Sequence, residues 1–177
     1  MPDPVTIRPV DPLEDPAVER VVCAAFGSTE EYELIVALRG DESAWLPEWS
    51  LGAYPGETLV GHVLFTAASV GGMRAALLAP LAVSPESQGR GVGEALVRAG
   101  LDAVREGGAA IALVLGHPGY YPRAGFEPAY PYGIMPPYEV DPQDAWMAMA
   151  LIPGALELVR GAVTMSSVFM DPALWRE

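Results

Sequence analysis

The sequence contains no lysine and no asparagine, and it has a single cysteine, Cys23. A mononucleotide P-loop needs a lysine at the end of its glycine run, so the missing lysine excludes that kind of nucleotide site. One cysteine cannot form an internal disulfide. Because Cys23 lies in the apolar run VERVVCAAF, we expect a buried thiol on a helix rather than a nucleophile.

Positive charge is also scarce. Ten arginines stand against 23 acidic residues, which gives a net charge of −13. Such a field repels nucleic acid and anionic membrane surfaces, so we expect no partner of either kind. It favours cationic partners, although an acidic surface kept for solubility explains it equally well. Acidic residues occupy the region where a secretory signal would be basic and then apolar, and we expect a cytoplasmic protein.

Length and composition predict one globular domain. The chain has 177 residues, of which 51% are apolar, enough for one hydrophobic core. We assign residues 1–177 to one domain, with a core at about 5–152 and a C-terminal extension at 153–177. Strand-like segments stand before, around and after a few helix-like ones, which predicts an α/β (α+β) domain. The sequence indicates no metal site.

Three strands in the first half are predicted to form antiparallel hairpins. Pro55-Gly56 and Gly71-Gly72 are strong turn signals between them. Pro80 falls within the third strand. Because proline has no N–H to donate, it predicts a bulge or an exposed edge at this point.

The segment SPESQGRGVGEALVRAGL (84–101) places glycines just before a helix. Free N–H groups and the positive end of the helix dipole make such a loop an anion site. A dinucleotide fingerprint fits poorly, because the spacing is G-x-G-x-G and the loop follows antiparallel hairpins. Tight packing explains Gly93 and Gly100 but not Gly89 and Gly91. The remaining candidate is the pyrophosphate of coenzyme A.

The residues around this loop resemble the GNAT superfamily of N-acetyltransferases. Its acetyl-CoA motif, Gln/Arg-x-x-Gly-x-Gly/Ala, is met by Gln88, Gly91 and Gly93. The strand interrupted by Pro80 is similar to the family's bulged strand, and YYPRAGF is similar to its aromatic-Tyr-x-x-x-Gly-Phe motif. The likeness spans roughly residues 5–152 and points in particular to the YhbS-like branch. It implies the GNAT-type acyl-CoA N-acyltransferase fold, with a mixed central sheet flanked by helices and acetyl-CoA as the cofactor.

The resemblance also implies roles for particular residues. Tyr121 matches the general acid that meets the leaving thiolate. Many members have an asparagine that binds the pantetheine arm, and His117 occupies that region here. The implied cofactor-binding residues are Leu81, Ala82, Val83, Gln88, Gly89, Arg90, Gly91, Val92, Gly93, Glu94, His117 and Arg123.

The implied reaction is transfer of an acetyl group from acetyl-CoA to a primary amine by direct attack in a ternary complex. The acceptor is a small-molecule or peptide amine. The base that deprotonates it stays open among His62, His117, Glu57 and a water relay. The residues predicted to line the acceptor pocket are Phe26, Tyr32, Trp45, Tyr130, Tyr132, Met135 and Tyr138.

Two other functions are compatible with the sequence. An acyl-CoA-binding sensor or interaction module that has lost catalysis would explain the missing asparagine and the unidentified base. Transfer of a larger acyl group is a third hypothesis, which pocket volume would decide. The oligomeric state is open, a homodimer included.

Overall fold

The computed structural model describes residues 4–176. Its helices are α1 (Asp15–Phe26), α2 (Glu30–Arg39), α3 (Val92–Glu106) and α4 (Ala155–Leu158). Its strands are β1 (Thr6–Pro9), β2 (Ser50–Tyr54), β3 (Gly61–Val70), β4 (Met73–Val83), β5 (Ile111–Leu115), β6 (Glu127–Pro128), β7 (Ile134–Met135), β8 (Trp146–Ala150) and β9 (Gly161–Thr164). None of the helices in this part of the chain is long and apolar enough to cross a membrane.

The strands form a mixed sheet in the order β1-β2-β3-β4-β5-β8-β6. Only β4 and β5 run parallel along this path, because α3 connects them as a crossover helix. Strands β3 and β4 are joined by Gly71 and Gly72, both with positive φ, as the hairpin signal predicted. Strand β9 pairs with the end of β3 and also with β7.

The irregularity predicted at Pro80 is a β-bulge. Val63 pairs with Leu81 and Phe65 pairs with Leu78, so β4 uses one residue more than β3 over this stretch. Strand β5 pairs with β4 only as far as Leu78. From residue 79 onward, the two parallel neighbours therefore diverge and leave an opening between them.

The helices cover both faces of the sheet. Helix α3 packs on one face, where a Cβ added to Gly100 would lie 2.3 Å from Cε2 of Phe65. Helices α1 and α2 pack on the other face. Cys23 is half-buried on α1, less buried than the sequence suggested. The sheet is buried between these layers, and its opening lies where β4, β5 and the start of α3 come together.

The C-terminal segment is anchored to the rest of the fold. Trp175 is buried, and its ring contacts that of Trp146 edge to face at 5.5 Å between centroids. Its Nε1 donates a hydrogen bond to the Phe169 carbonyl at 2.7 Å. The Tyr138 hydroxyl donates to the carbonyl of Met170. These contacts hold residues 167–176 against the same side of the sheet as α1 and α2.

Candidate active site

The glycine loop before α3 has the backbone that an anion site requires. Gly89 and Gly91 have φ of +75° and +81°, and a Cβ added at either position would meet nothing within 4 Å. Their conformation is one that L side chains rarely adopt, and the space above them is open. The first amide of the helix to bond within it is Ala95 N–H, which donates to the Gly91 carbonyl. The preceding N–H groups of the first turn are therefore available to an anion.

The loop is held against its neighbours at three positions, Gln88, Val92 and Gly93. The Gln88 amide donates to the Val83 carbonyl at 2.9 Å, which joins the loop to the end of β4. Gly93 is small for a packing reason, because an added Cβ would lie 2.5 Å from the Tyr120 hydroxyl oxygen. Val92, the first residue of α3, is buried in the core. The motif residues therefore have two roles. Gly89 and Gly91 leave the loop open to a ligand, and Gln88, Val92 and Gly93 hold it in place.

A cavity of about 560 Å³ lies in the opening between β4 and β5. One arm is the bulged part of β4, including Leu81, and the other is the segment after β5, including His117 and Tyr121. Ala82 and Val83 continue β4 from the cavity to the glycine loop, and no described strand pairs with their edge on the β5 side. The full lining is Phe26, Glu30, Glu31, Leu34, Leu77, Leu78, Ala79, Pro80, Leu81, Leu115, Gly116, His117, Tyr120, Tyr121, Phe169, Ala173, Leu174, Trp175 and Arg176.

Tyr121 is the most buried hydroxyl that lines this cavity. Its side chain is only 9% exposed and packs edge to face with Tyr120 and Phe126. Within the described part of the chain its hydroxyl has no hydrogen-bond partner. Burial raises the pKa of Tyr121 well above its ordinary value near 10. The hydroxyl therefore keeps its proton at neutral pH and is free to donate a hydrogen bond in the cavity.

His117 lines the cavity but is poorly arranged to act as a base. Its Nδ1 accepts a hydrogen bond from the Gly119 N–H at 3.0 Å. In the neutral ring this places the proton on Nε2, which then is a donor. His117 is therefore better suited to hold an oxygen of a ligand than to take up a proton.

Of the two arginines predicted to meet the phosphates, one lies within the loop and the other lies beside the first turn of α3. Arg90 is exposed within the loop. Arg123 forms an exposed ion pair with Glu94 at 3.8 Å, beside a smaller cavity of about 130 Å³ that Tyr120 also lines. Glu94 reduces the positive charge that Arg123 presents, so Arg90 is the stronger of the two predicted phosphate contacts.

Two of the residues predicted as possible bases lie outside the cavity. His62 faces the α1 side of β3, is 1% exposed, and has its Nε2 2.9 Å from the Ser50 hydroxyl. Burial lowers the pKa of His62 to about 4. It lines a separate small cavity with Arg39. Glu57 is exposed in the turn between β2 and β3. Neither residue lines the cavity that contains Tyr121.

Most of the residues predicted to line the acceptor pocket lie away from this cavity. Of the seven aromatic and methionine residues proposed, only Phe26 lines the cavity. Several of the others have structural hydrogen bonds instead: Tyr32 donates to Asp15, Tyr130 accepts from Val140 N–H, Tyr132 donates to Glu127, and Tyr138 donates to Met170. Trp45 lines the small cavity beside His62, and Met135 is exposed on β7. Side-chain chemistry alone did not distinguish these positions from lining residues.

The sequence analysis missed two groups of lining residues. Glu30 and Glu31 begin α2 and line the cavity, and the Glu31 carboxylate accepts a hydrogen bond from the Ser28 hydroxyl at 3.3 Å. Phe169, Leu174 and Trp175 come from the C-terminal segment. The acidic first turn of α2 was visible in the sequence. It did not by itself indicate a cavity, because carboxylates at helix N-termini are also explained by their favourable interaction with the helix dipole. Nothing in the local pattern of residues 167–176 connects them to the cavity.

Comparison with known proteins agrees with this geometry. The family model described as the acetyltransferase (GNAT) domain matches residues 6–129. The N-acetyltransferase YjhQ of Escherichia coli K12 is 40% identical over 153 residues, which are 82% of this chain and 84% of that protein. The N-acetyltransferase YhbS of the same strain is 32% identical over 123 residues, 68% of this chain and 72% of that protein.

Two solved structures share the whole architecture. The GNAT family N-acetyltransferase YhbS from Escherichia coli, solved in complex with CoA, has a TM-score of 0.85 at 31% identity and covers 94% of this chain and 92% of that one. A GNAT family acetyltransferase from Brucella melitensis, solved in complex with acetyl-CoA, has a TM-score of 0.74 at 29% identity and covers 94% of this chain and 99% of that one. These likenesses confirm the fold class and the family resemblance inferred from the sequence.

Proposed function

Since the chain belongs to the GNAT family of acetyltransferases, we propose that it transfers an acetyl group from acetyl-CoA to a primary amine by direct attack in a ternary complex. One observation carries the proposal. The unpartnered Tyr121 hydroxyl lines the cleft where β4 and β5 diverge, and β4 continues from that cleft to the open glycine loop, where Gly93 lies against Tyr120. The relatives solved with CoA and acetyl-CoA support the choice of cofactor.

The residues of the cleft fit the parts of acetyl-CoA. The N–H groups of residues 89–94 are suited to the pyrophosphate, because Gly89 and Gly91 leave open space around them, whereas the Gln88 N–H already donates to the Pro85 carbonyl. Arg90 adds positive charge next to that loop in a protein of strongly negative net charge. The free edge of Leu81–Val83 is suited to the amide groups of the pantetheine arm, and His117 contributes a donor near its thiol end.

Acetyl-CoA supplies an activated acetyl group as a thioester. The amine nitrogen forms a bond to the acetyl carbon, the carbon–sulfur bond breaks, and sulfur keeps the electron pair. Tyr121 donates a hydrogen bond to the developing thiolate. Because burial raises the pKa of Tyr121 further above that of a thiol, near 8.5, full proton transfer from Tyr121 is uphill. Its role is therefore to stabilise charge on sulfur, and solvent supplies the final proton.

An amine acceptor must also lose a proton before it attacks. For a pKa near 10.4 this costs about 4.6 kcal/mol at neutral pH. Glu30 and Glu31 are the carboxylates that line the cavity, while His62 and Glu57 lie elsewhere. We propose that the amine's proton passes through a water relay to the carboxylate of Glu30 or Glu31. No cysteine adduct is required, and Cys23 does not line the cavity.

The role of Tyr121 is tested by Tyr121→Phe, with Tyr120→Phe as the neighbouring comparison. The Tyr121 hydroxyl has no partner in the described protein, so its removal should leave folding intact. Loss of one hydrogen bond to a charged group, about 1.5–3 kcal/mol, should lower kcat about 10- to 150-fold with little change in affinity for acetyl-CoA. Tyr120→Phe should lower kcat less than Tyr121→Phe does, because the hydroxyl of Tyr120 lies over Gly93.

Release of thiol from acetyl-CoA, followed with a chromogenic disulfide across a range of amines, provides the measurement. Unchanged kcat in Tyr121→Phe would remove Tyr121 from the mechanism, and a larger loss in Tyr120→Phe would transfer the role to its neighbour. Acetyl-CoA binding without thiol release for every amine would instead support the acyl-CoA-binding module.

A further inference from the structure

The chemistry of the acceptor follows from how the cavity is closed on the side away from the glycine loop. The C-terminal segment forms that wall with Phe169, Leu174 and Trp175. The segment is held in place by the buried Trp175 and by the hydrogen bond from Tyr138 to Met170. The wall is therefore a built part of the fold. An acceptor has to fit between it and the cleft that contains Tyr121.

A second wall comes from the junction of α1 and α2 and is also apolar. Phe26 and Leu34 line it. Phe26 is 44% exposed, and Leu174 of the C-terminal segment is 37% exposed. Large apolar side chains left this open in a cavity gain free energy when a ligand covers them, at about 25 cal/mol per Å² of apolar area. The walls are thus suited to an apolar body.

Charge at the cavity favours a single cation. Glu30 and Glu31 supply two carboxylates, and Arg176 supplies one guanidinium. The carboxylates attract an ammonium group. Arg176 repels a second cation, and the apolar walls are unfavourable for a long polycation. The cavity of about 560 Å³ has to hold the thiol end of the cofactor as well as the acceptor, which leaves room only for a small acceptor. Tyr121, nine-tenths buried and unpartnered, lines the same cavity.

We propose that the acceptor is a small primary monoamine carried on a compact apolar or aromatic body. The carboxylates of Glu30 and Glu31 receive its ammonium group, and Phe26, Phe169 and Leu174 contact its body. This inference rests on the proposed function. It excludes, as preferred acceptors, polyamines, the lysine side chains of folded proteins, and amino acids, whose own carboxylate would be repelled by Glu30 and Glu31.

The first test is thiol release from acetyl-CoA by the full chain with four amines: 2-phenylethylamine, phenylalanine, spermidine and a short lysine-containing peptide. We expect kcat/KM for 2-phenylethylamine to exceed that for each of the others by at least tenfold. A preference for spermidine, the peptide or phenylalanine would overturn the inference while leaving acetyl transfer in place. Acetyl-CoA binding with no release from any amine would overturn the proposed function itself.

The second test separates the contributions of wall and charge. Leu174→Ala should raise KM for 2-phenylethylamine about tenfold, because it removes apolar contact with the substrate, and should change KM for acetyl-CoA little. The double variant Glu30→Gln/Glu31→Gln should raise KM for the amine about fivefold and also lower kcat, because the proton relay ends at these carboxylates. Leu158→Ala is the matched apolar control, since Leu158 is 75% exposed on α4 and does not line the cavity.

Thermal unfolding and acetyl-CoA affinity of each variant show whether it is folded. A folded Leu174→Ala protein with an unchanged KM for 2-phenylethylamine would remove the C-terminal wall from acceptor binding. An unchanged KM in the double glutamine variant would remove the carboxylates.

Discussion

Gly91 and Gly72 provide a matched pair of backbone positions. Both have φ of +81°, and at both a Cβ would meet nothing within 4 Å. Alanine at either position therefore imposes the same left-handed strain, about 1–2 kcal/mol, without a steric clash. They differ in location, because Gly72 lies in the β3–β4 hairpin and Gly91 caps the start of α3.

We expect Gly91→Ala and Gly72→Ala to lower the free energy of unfolding equally, by about 1–2 kcal/mol each. Only Gly91→Ala should weaken CoA binding, because its methyl group enters the space that a phosphate needs to reach the loop N–H groups. Loss of one charge-assisted hydrogen bond, about 1.5–3 kcal/mol, corresponds to a Kd about 10- to 150-fold higher. Urea unfolding measures the first quantity, and titration calorimetry with CoA measures the second.

Both variants are compared at a temperature where each is fully folded, so that the difference in Kd reflects the site. Equal CoA affinities in the two variants would refute the assignment of the loop as the pyrophosphate site. A Gly91→Ala protein as stable as the original would refute the claim that its backbone requires glycine.

Two further predictions concern packing and pH. Gly100→Ala should lower the free energy of unfolding by about 1–3 kcal/mol in thermal unfolding, because its Cβ would lie 2.3 Å from the Phe65 ring; a stability like that of the original chain would show that the ring moves freely. His62 should make unfolding pH-dependent between about pH 6.5 and 4, since its pKa is about 4 in the folded protein and near 6.5 when unfolded. The unfolded chain binds the extra proton in this window, so stability falls by about 3 kcal/mol as the pH falls, and is not lost further by this residue below pH 4. His62→Gln should lack this component of the slope, and identical slopes in urea titrations of the two proteins would contradict it.

Local features of the sequence were sufficient to predict the parts of the site that depend on local backbone conformation. Gly71 and Gly72 predicted the hairpin, and Pro80 predicted the bulge in β4, because each restricts the few torsions around it. Gly89 and Gly91 predicted the open loop for the same reason. These signals act over a few residues and can be interpreted without knowing what packs against them.

The candidate proton acceptors and the acceptor wall could not be predicted in this way. His62 and Glu57 have suitable chemistry, but His62 is buried under α1 beside Ser50, in a cavity separate from the one that Tyr121 lines, and Glu57 lies in an exposed turn. Glu30 and Glu31 looked like an ordinary acidic helix start. Whether a side chain reaches a cavity depends on which face of which element meets it, and no local pattern records that.

By itself, the sequence determined the open glycine loop, the hairpins and the bulge in β4, because glycine and proline act through their own backbone torsions. Tertiary structure decided which residues line the cavity between β4 and β5. There, Phe26 at the end of α1 and Leu174 near the C-terminus line one cavity although they are far apart in the chain. Their meeting depends on the pairing of β9 with β3 and the burial of Trp175, which are long-range contacts that only the folded chain makes.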